Sequence, residues 1–121
     1  MHVFDVLADP VRRHILELLA RGEMTSGDVV KAIGVDFGIS QAAVSQHLKV
    51  LRENGFATVR AEAQRRLYSV DPAGLQAVDN WVAQFRGFWE PKLDALATEI
   101  ARGKRARRGV PVPRAKDRQA G

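Results

Sequence analysis

The chain has 121 residues, of which 45% are hydrophobic and 27% are charged, and this is typical of one globular domain with a single core. It contains no cysteine, which excludes disulfides and thiolate metal sites. It has neither a secretory-type N-terminus nor an apolar run long enough to span a bilayer, so we expect a cytoplasmic protein.

The net charge of +5 is distributed unevenly along the chain. Acidic residues outnumber basic ones in residues 1–39 and again in residues 69–101, whereas basic residues predominate in residues 40–68 and in residues 102–121. A basic segment inside an otherwise acidic folded part indicates a surface for an anionic partner such as nucleic acid.

Capping residues and prolines in the first third of the chain predict a short turn followed by two helices. Residues 3–7 suggest a short leading turn, and Asp9–Pro10 then predicts a helix start with an aspartate N-cap and a proline in the first turn. Thr25 caps the next helix. We expect that helix to end at Gly34 and a loop to follow as far as Ile39.

The segment from Ser40 to Gly55 predicts an amphipathic helix with an N-cap serine and a left-handed C-terminal glycine. Val44, Leu48 and Leu51 form an apolar stripe that must face a core. The opposite face carries short or amide-bearing side chains followed by a cation, as in a helix that enters a DNA major groove. These residues are Gln41, Ala42, Ser45, Gln46 and Lys49. Taken alone, the segment is equally compatible with an ordinary surface helix.

After Gly55 the hydrophobic period changes to that of strands, with runs at 56–60 and 66–70 and a hairpin tip at 62–65. A basic hairpin directly after a recognition helix is a wing, in which Arg65 and Arg66 would meet DNA phosphates or a minor groove. The alternative for both arginines is a solvated turn. The order of the elements is that of a winged helix-turn-helix, a mainly α fold with a small β-hairpin.

A second Asp-Pro signal, Asp71–Pro72, predicts a long helix to about Arg102 with a kink or break at Pro91. Its apolar stripe exceeds what a small three-helix core can bury, so we expect an identical partner to cover it. Packing within one chain is the alternative for any single residue, and a membrane-surface helix is disfavoured by the acidic polar face. The candidate dimerisation residues are, in this helix, Leu75, Val78, Trp81, Val82, Phe85, Phe88, Trp89, Leu93, Leu96 and Ile100, together with Phe4 at the start of the chain.

We therefore divide the chain into a DNA-binding and dimerisation domain at residues 1–102 and a basic tail at residues 103–121. The tail lacks periodicity and carries a strong positive charge, which predicts disorder. It could add sequence-independent attraction to DNA, or it could have no role.

Four segments, DPVRRHILELL, MTSGDVV, ISQAAVSQHLKVLRENGF and RRLYSVDP, together resemble the ArsR/SmtB family of winged-helix bacterial repressors over about residues 3–101. The segment WVAQFRGFWEPKLDAL resembles the subgroup that lacks the metal-sensing cysteines. The resemblance implies a homodimer that represses transcription from a palindromic operator, often its own, with the recognition helix at 40–54 and the wing at 56–70. The candidate DNA-binding residues are Ser40, Gln41, Ala42, Ser45, Gln46, His47, Lys49, Arg52, Arg65 and Arg66.

The sequence departs from the family pattern at several places. The Cys-x-Cys sensor would fall on residues 24–28, which contain no cysteine, and the last helix lacks the histidines of the other metal site. The turn at 34–39 is longer than usual, which could change the angle between its two helices. The wing-tip position that is usually glycine is Gln64.

No nucleophile, general base and orienting group occur together in the sequence, and no Gly-rich phosphate loop is present, so we expect neither an enzyme nor a cofactor. His47 is expected to pack or to contact phosphate rather than to bind metal, and His14 is expected at the surface. The expected partners are double-stranded DNA and a second copy of the chain, without a membrane and with no inducer identified. Two alternatives remain: a winged-helix protein-interaction module without specific DNA binding, and a metal sensor with a non-cysteine site.

Overall fold

The fold was analysed in a computed structural model, which describes residues 1–90, 96, 98–101 and 103. The helices are α1 (Val3–Ala8), α2 (Pro10–Ala20), α3 (Ser26–Phe37), α4 (Gln41–Glu53) and α5 (Pro72–Ala83), and the strands are β1 (Met24–Thr25), β2 (Ala57–Glu62) and β3 (Arg65–Val70). A 3₁₀ helix at Arg86–Phe88 follows α5. The strands form one antiparallel sheet in the order β1–β3–β2. The predicted fold class, mainly helical with a small hairpin, is confirmed.

The apolar faces of α2, α3 and α4 meet in one core beneath the sheet. Its most deeply buried side chains are Val6, Ile15, Val29, Ile33, Val44, Leu48, Leu51 and Phe56. The predicted stripe of α4 supplies three of them, which confirms that this helix presents its opposite face to solvent. Burying an aliphatic side chain of this size contributes about 1.5–3 kcal/mol, so the core anchors α4 firmly.

The three predicted N-caps of α2, α3 and α4 are confirmed by hydrogen bonds. The side-chain oxygens of Asp9, Thr25 and Ser40 accept backbone amides of the first helical turn at 2.8, 3.0 and 3.1 Å, respectively. Each cap satisfies a donor that has no partner within the helix.

The predicted C-terminal stop of α4 is also confirmed. Gly55 has a φ of 78°, and the amide of Phe56 donates to the carbonyl of Leu51 at 2.9 Å. A bond that spans these positions closes a left-handed cap, in which glycine carries no steric cost.

The end of α3 differs from the prediction. The helix continues past Gly34 to Phe37, and Gly38, with a φ of 64°, is its left-handed cap. His14 of α2 contacts the added turn, with its Nε2 3.1 Å from the Asp36 carboxylate and its ring edge-on to Phe37. These contacts stabilise one more helical turn, so the long connection predicted at 34–39 is reduced to residues 38–40.

The sheet contains a strand that the sequence did not predict. Met24 and Thr25 form β1 and pair with Tyr68 and Leu67 of β3. A two-residue strand is too short for a detectable alternation of side chains, and it forms only because β3 lies beside it.

The hairpin is tighter than predicted. Glu62 pairs with Arg65 across a two-residue turn, Ala63–Gln64. The left-handed residue is Ala63, with a φ of 55°, and not Gln64, the position where the family usually has glycine.

The start of α5 is fixed against the end of α4. The Asp71 carboxylate accepts the Ala73 amide at 3.0 Å, and the Gly74 amide donates to the Gly55 carbonyl at 2.7 Å. A Cβ at Gly74 would lie only 2.7 Å from the Phe56 ring. Glycine is therefore required for this close approach.

The predicted helix from Asp71 to about Arg102 is interrupted, and earlier than at Pro91. α5 ends at Ala83, where the Phe85 amide bonds to the Val82 carbonyl at 2.9 Å and a 3₁₀ turn follows. Gly87 has low helix propensity, and a proline four residues later cannot donate to its carbonyl, so the sequence weakens the helix here. Pro91, Leu93 and residues 104–121 lie outside the described residues, and with them the predicted kink and the predicted tail.

The chain divides into two units, Met1–Asn80 and Trp81–Gly121. In the described part of the chain, no helix combines the length and the apolar character needed to cross a membrane.

Candidate nucleic-acid interface

The polar face of α4 is exposed along its first two turns. Gln41, Ala42, Ser45 and Gln46 are all exposed, and no polar side chain among them is hydrogen-bonded within the described part of the chain. Two amides that are held on a rigid helix and have no internal partner can bond to another molecule without first breaking a contact. Small residues between them allow a partner to approach the backbone closely.

Exposed cations occur on α4 itself and on the hairpin. Lys49 and Arg52 of α4 and Arg66 of β3 are exposed, and none of them forms an ion pair among the described residues. Arg65 differs, because its guanidinium lies 3.0 Å from the Glu62 carboxylate. The two arginines predicted for the wing are therefore not equivalent.

Ser40 serves the helix itself. Its Oγ accepts the Ala43 amide, so the hydroxyl proton is the group that remains for an external acceptor.

A network of ion pairs connects the two strands of the hairpin to the segment before β1. Arg60 of β2 donates to both carboxylate oxygens of Glu23, at 2.9 and 2.7 Å, and its guanidinium also lies 2.9 Å from Glu62. Ser69 of β3 donates to Glu23 at 3.1 Å. The network therefore links the segment before β1 to both strands of the hairpin, and sequence reasoning did not identify it.

The same bonds shift the pKa values of Glu23, Glu62 and Arg60. The hydrogen bond from Arg60 is the main cause that lowers the pKa of Glu23, and the bonds from Arg60 and Arg65 lower the pKa of Glu62. The bond to Glu23, with that to Glu62, raises the pKa of Arg60. Both carboxylates are thus ionised at neutral pH, and Arg60 is occupied by them.

Two consecutive arginines of α2 cap the C-terminal end of α1. Arg12 donates to the carbonyls of Val6 and Asp5 at 2.7 and 2.9 Å, and Arg13 donates to that of Leu7 at 2.6 Å. The last carbonyls of a helix lack internal partners and favour cations. The Arg-Arg pair that follows Asp-Pro in the sequence is the signal that could have indicated this cap.

Arg12 also reaches α4. Its Nη1 lies 3.4 Å from Nδ1 of His47 and 3.9 Å from the Asp9 carboxylate. Burial acts to raise the pKa of Asp9, but amide hydrogen bonds from Arg12 and Val11, together with the charges of His47 and Arg12, lower it overall. His47 is half-buried, beside the exposed polar face of α4 rather than on it.

Exposed aromatic rings occupy the start of the second unit. The Trp81 and Phe85 centroids are 4.8 Å apart, and those of Phe85 and Phe88 are 6.3 Å apart. Phe88 is 76% exposed, and Phe85 and Trp89 are 39% and 38% exposed. We call these four residues the aromatic cluster.

The other candidate dimerisation residues divide into exposed and half-buried side chains. Phe4, Leu75, Leu96 and Ile100 are exposed, and Val82 is half-buried. Val78 is half-buried and packs against the core of its own chain. Leu93 lies outside the described residues.

The described residues offer little for a metal. No three His, Asp or Glu side chains among them are placed to share an ion. His14, predicted at the surface, is half-buried and pairs with Asp36 and, at 3.6 Å, with Glu17.

Comparison with known proteins gives concordant matches. Residues 9–59 match the model of the arsR family of bacterial regulatory proteins. The chain is 36% identical to the transcriptional repressor SdpR of Bacillus subtilis over 69% of its own length and 89% of that protein. It is 41% identical to the HTH-type transcriptional regulator Rv2034 of Mycobacterium tuberculosis, over 80% and 84% of the two chains.

A solved structure resembles the fold as well. It is the homodimeric winged helix-turn-helix DNA-binding domain of a possible ArsR-family regulator from Mycobacterium bovis, with a TM-score of 0.53 and 32% identity. The match covers 68% of this chain and 75% of that chain.

Proposed function

The chain belongs to the ArsR family of bacterial regulatory proteins, and from that membership we propose that it is a homodimeric transcriptional repressor that binds a palindromic operator. The observation that carries the proposal is the reading face of α4, the exposed side on which Gln41 and Gln46 have no hydrogen-bond partner among the described residues. The opposite side of the helix is buried in the core. A regulator of this kind needs no catalytic site, and it acts in the cytoplasm, where the chromosome lies.

Gln41 and Gln46 are the proposed base-reading residues. A glutamine amide can bond an adenine edge in the major groove through two hydrogen bonds, which discriminates against other bases by about 1–3 kcal/mol. Ala42 and Ser45 lie between them and are small enough to let the helix enter the groove.

Lys49, Arg52 and Arg66 are the proposed phosphate contacts. Each is exposed and has no ion-pair partner among the described residues, so binding DNA does not require an internal pair to break. Such contacts set the position of a protein on the duplex and make its affinity dependent on salt. Arg65 contributes less in this scheme, because Glu62 already neutralises it.

The aromatic cluster supports the proposed homodimer. Its rings present apolar area to solvent at the start of the second unit, and a two-fold partner that offers the same rings would cover it. A homodimer that reads a palindromic operator would place its two α4 helices in successive major grooves, about 34 Å apart.

A gel-shift series on the DNA upstream of the gene tests the proposal. Gln46→Ala should relax the preference among operator variants, whereas Lys49→Ala and Arg66→Ala should weaken binding to every sequence and lower the salt slope by about 1. Arg21→Ala removes a cation outside α4 and the wing and serves as the control, with no change expected.

The same series separates the alternatives. If the wild-type chain failed to distinguish upstream DNA from a scrambled duplex, the protein-interaction module would replace the repressor. If binding to that DNA required an added metal ion, the metal-sensor alternative would be favoured.

A further inference from the structure

The Arg12 side chain connects three helices, α1, α2 and α4, by hydrogen bonds. It belongs to α2, donates to two carbonyls at the end of α1, and lies 3.4 Å from His47 of the proposed recognition helix. Its side chain is only 13% exposed. A cation this buried is retained in a fold only if its donors are satisfied.

The chemistry of arginine fixes the direction of the contact to His47. A guanidinium has five N–H donors and no acceptor, so a hydrogen bond from Nη1 to Nδ1 requires the lone pair of Nδ1. The proton of the neutral ring then resides on Nε2. The Nε2–H group becomes a donor on a residue that directly follows Gln46.

The distance of 3.4 Å is long for a hydrogen bond, so the contact orients the ring more than it adds stability. Arg12 itself is held in place by the two short bonds to α1 and by the Asp9 carboxylate. The rigid partner in this pair is therefore Arg12, and the oriented partner is His47.

We propose that Arg12 is a positioning residue for operator recognition, which acts by orienting the His47 ring on α4 so that the His47 Nε2–H donates to a DNA phosphate. The proposal rests on the proposed function, because it assigns a means of orientation to the same reading helix. Arg12 itself does not contact DNA in this scheme.

Arg13 provides a matched control on the same helix. It also donates to carbonyls at the end of α1, at 2.6 and 3.2 Å, but within the described residues no hydrogen bond or ion pair joins it to α4. Arg12→Ala and Arg13→Ala should both lower the melting temperature, since each removes a cap from α1. Only Arg12→Ala should reduce the affinity for operator DNA, by about tenfold, or about 1.4 kcal/mol, with a smaller change for a random duplex.

A double-mutant cycle then tests the route through His47. His47→Ala should lower operator affinity to a similar extent, and Arg12→Ala combined with His47→Ala should be no weaker than His47→Ala alone. Arg12→Lys keeps the charge and can still bond one carbonyl of α1, so it should fold while losing the contact to His47. Equal losses of operator affinity in the Arg12 and Arg13 variants, or losses that multiply in the double variant, would overturn the proposal.

A measurement without DNA separates this proposal from the proposed function. The nitrogen chemical shifts of His47 at neutral pH should report the Nε2–H tautomer in the wild-type chain and a mixture of tautomers in Arg12→Lys. An imidazolium paired with Asp9, or the same tautomer in both chains, would contradict the role of Arg12. Failure to bind any operator would instead contradict the proposed function.

Discussion

A single glycine determines how closely α5 approaches the rest of the fold. A Cβ at Gly74 would lie 2.7–2.8 Å from three carbon atoms of the buried Phe56 ring, and the Gly74 amide is hydrogen-bonded to Gly55. The ring cannot move away without disturbing the core, so the contact constrains both the sequence and the position of the helix.

We therefore expect Gly74→Ala to lower the free energy of unfolding by about 1–3 kcal/mol, the usual cost of overpacking. Urea denaturation of the wild-type and variant chains measures the change. Gly27→Ala is the matched control, since Gly27 also lies in the first turn of a helix but has only one ordinary contact, at 3.9 Å, in the space a Cβ would fill. An equal loss in both variants would show that the Phe56 contact is not the cause.

The cap at Asp9 links stability to pH. Its carboxylate accepts two amides of α2, and its pKa is lowered from the ordinary 3.8 in the folded chain. Folding is therefore favoured by the ionised carboxylate above the ordinary pKa, and this contribution disappears as the pH falls through the lowered value.

Asp9→Ala should thus cost about 1 kcal/mol of unfolding free energy at neutral pH, and the difference from wild type should shrink at pH values below 3.8. Asp9→Asn keeps a capping oxygen but has no group that titrates. It therefore distinguishes the effect of the hydrogen bonds on stability from the effect of the charge. Denaturant titrations across this pH range provide the measurement. A difference between Asp9→Ala and wild type that stayed constant with pH would argue against a charged cap.

Among the structural elements, the wing carries both cations that attract DNA and a carboxylate that repels it. Glu62 lies next to the hairpin turn and contacts Arg60 and Arg65, so it reduces the positive potential that the wing presents to DNA. The network stabilises the hairpin geometry, and at the same time it limits sequence-independent attraction.

Glu62→Gln should therefore increase affinity for operator and random duplexes alike and should steepen the salt dependence, because Arg65 would be released to contact a phosphate. Fluorescence anisotropy at several salt concentrations measures both quantities. Glu17→Gln removes an exposed carboxylate from α2 and is the charge-matched control. An unchanged salt slope in Glu62→Gln would show that Arg65 does not reach DNA.

The features predicted correctly from the sequence are those that depend on residues close to one another in the chain. The caps at Asp9, Thr25 and Ser40 lie where sequence placed them, because each depends on a side chain and the amides two or three residues later. The stripe of α4 was predictable because its period matches the helix.

Features that depend on contacts between distant segments were missed. The last turn of α3 depends on His14, and β1 depends on the neighbouring β3. The same is true of the contact between Arg12 and His47, which are 35 positions apart in the sequence. The exposure of the reading face could be predicted from the sequence. The contact of Arg12 with α4 and the ion pairs of Arg60 in the wing could not.

For the whole molecule, the proposed activity requires two chains. The exposed rings of the aromatic cluster provide apolar area on the second unit, and Phe88 is its most exposed ring. Burying these rings against a second copy removes apolar surface from water, which is the main driving force for association.

Phe88→Asp should therefore shift the chain from dimer to monomer, because association would bury a charge in an apolar interface. Sedimentation velocity measures the change, and Val35→Asp is the control, since Val35 is a highly exposed hydrophobic residue of the first unit. The monomeric variant should retain its fold by circular dichroism while losing most operator affinity. A Phe88→Asp dimer of unchanged stability would place the interface elsewhere.

Hydroxyl-radical footprinting of the wild-type chain on its upstream DNA tests most directly whether two copies of α4 read one operator. Two protected patches on one face of the duplex, about one helical turn apart and related by a two-fold axis of the sequence, are the predicted result. A single protected patch without symmetry, or uniform protection of any DNA, would contradict the account.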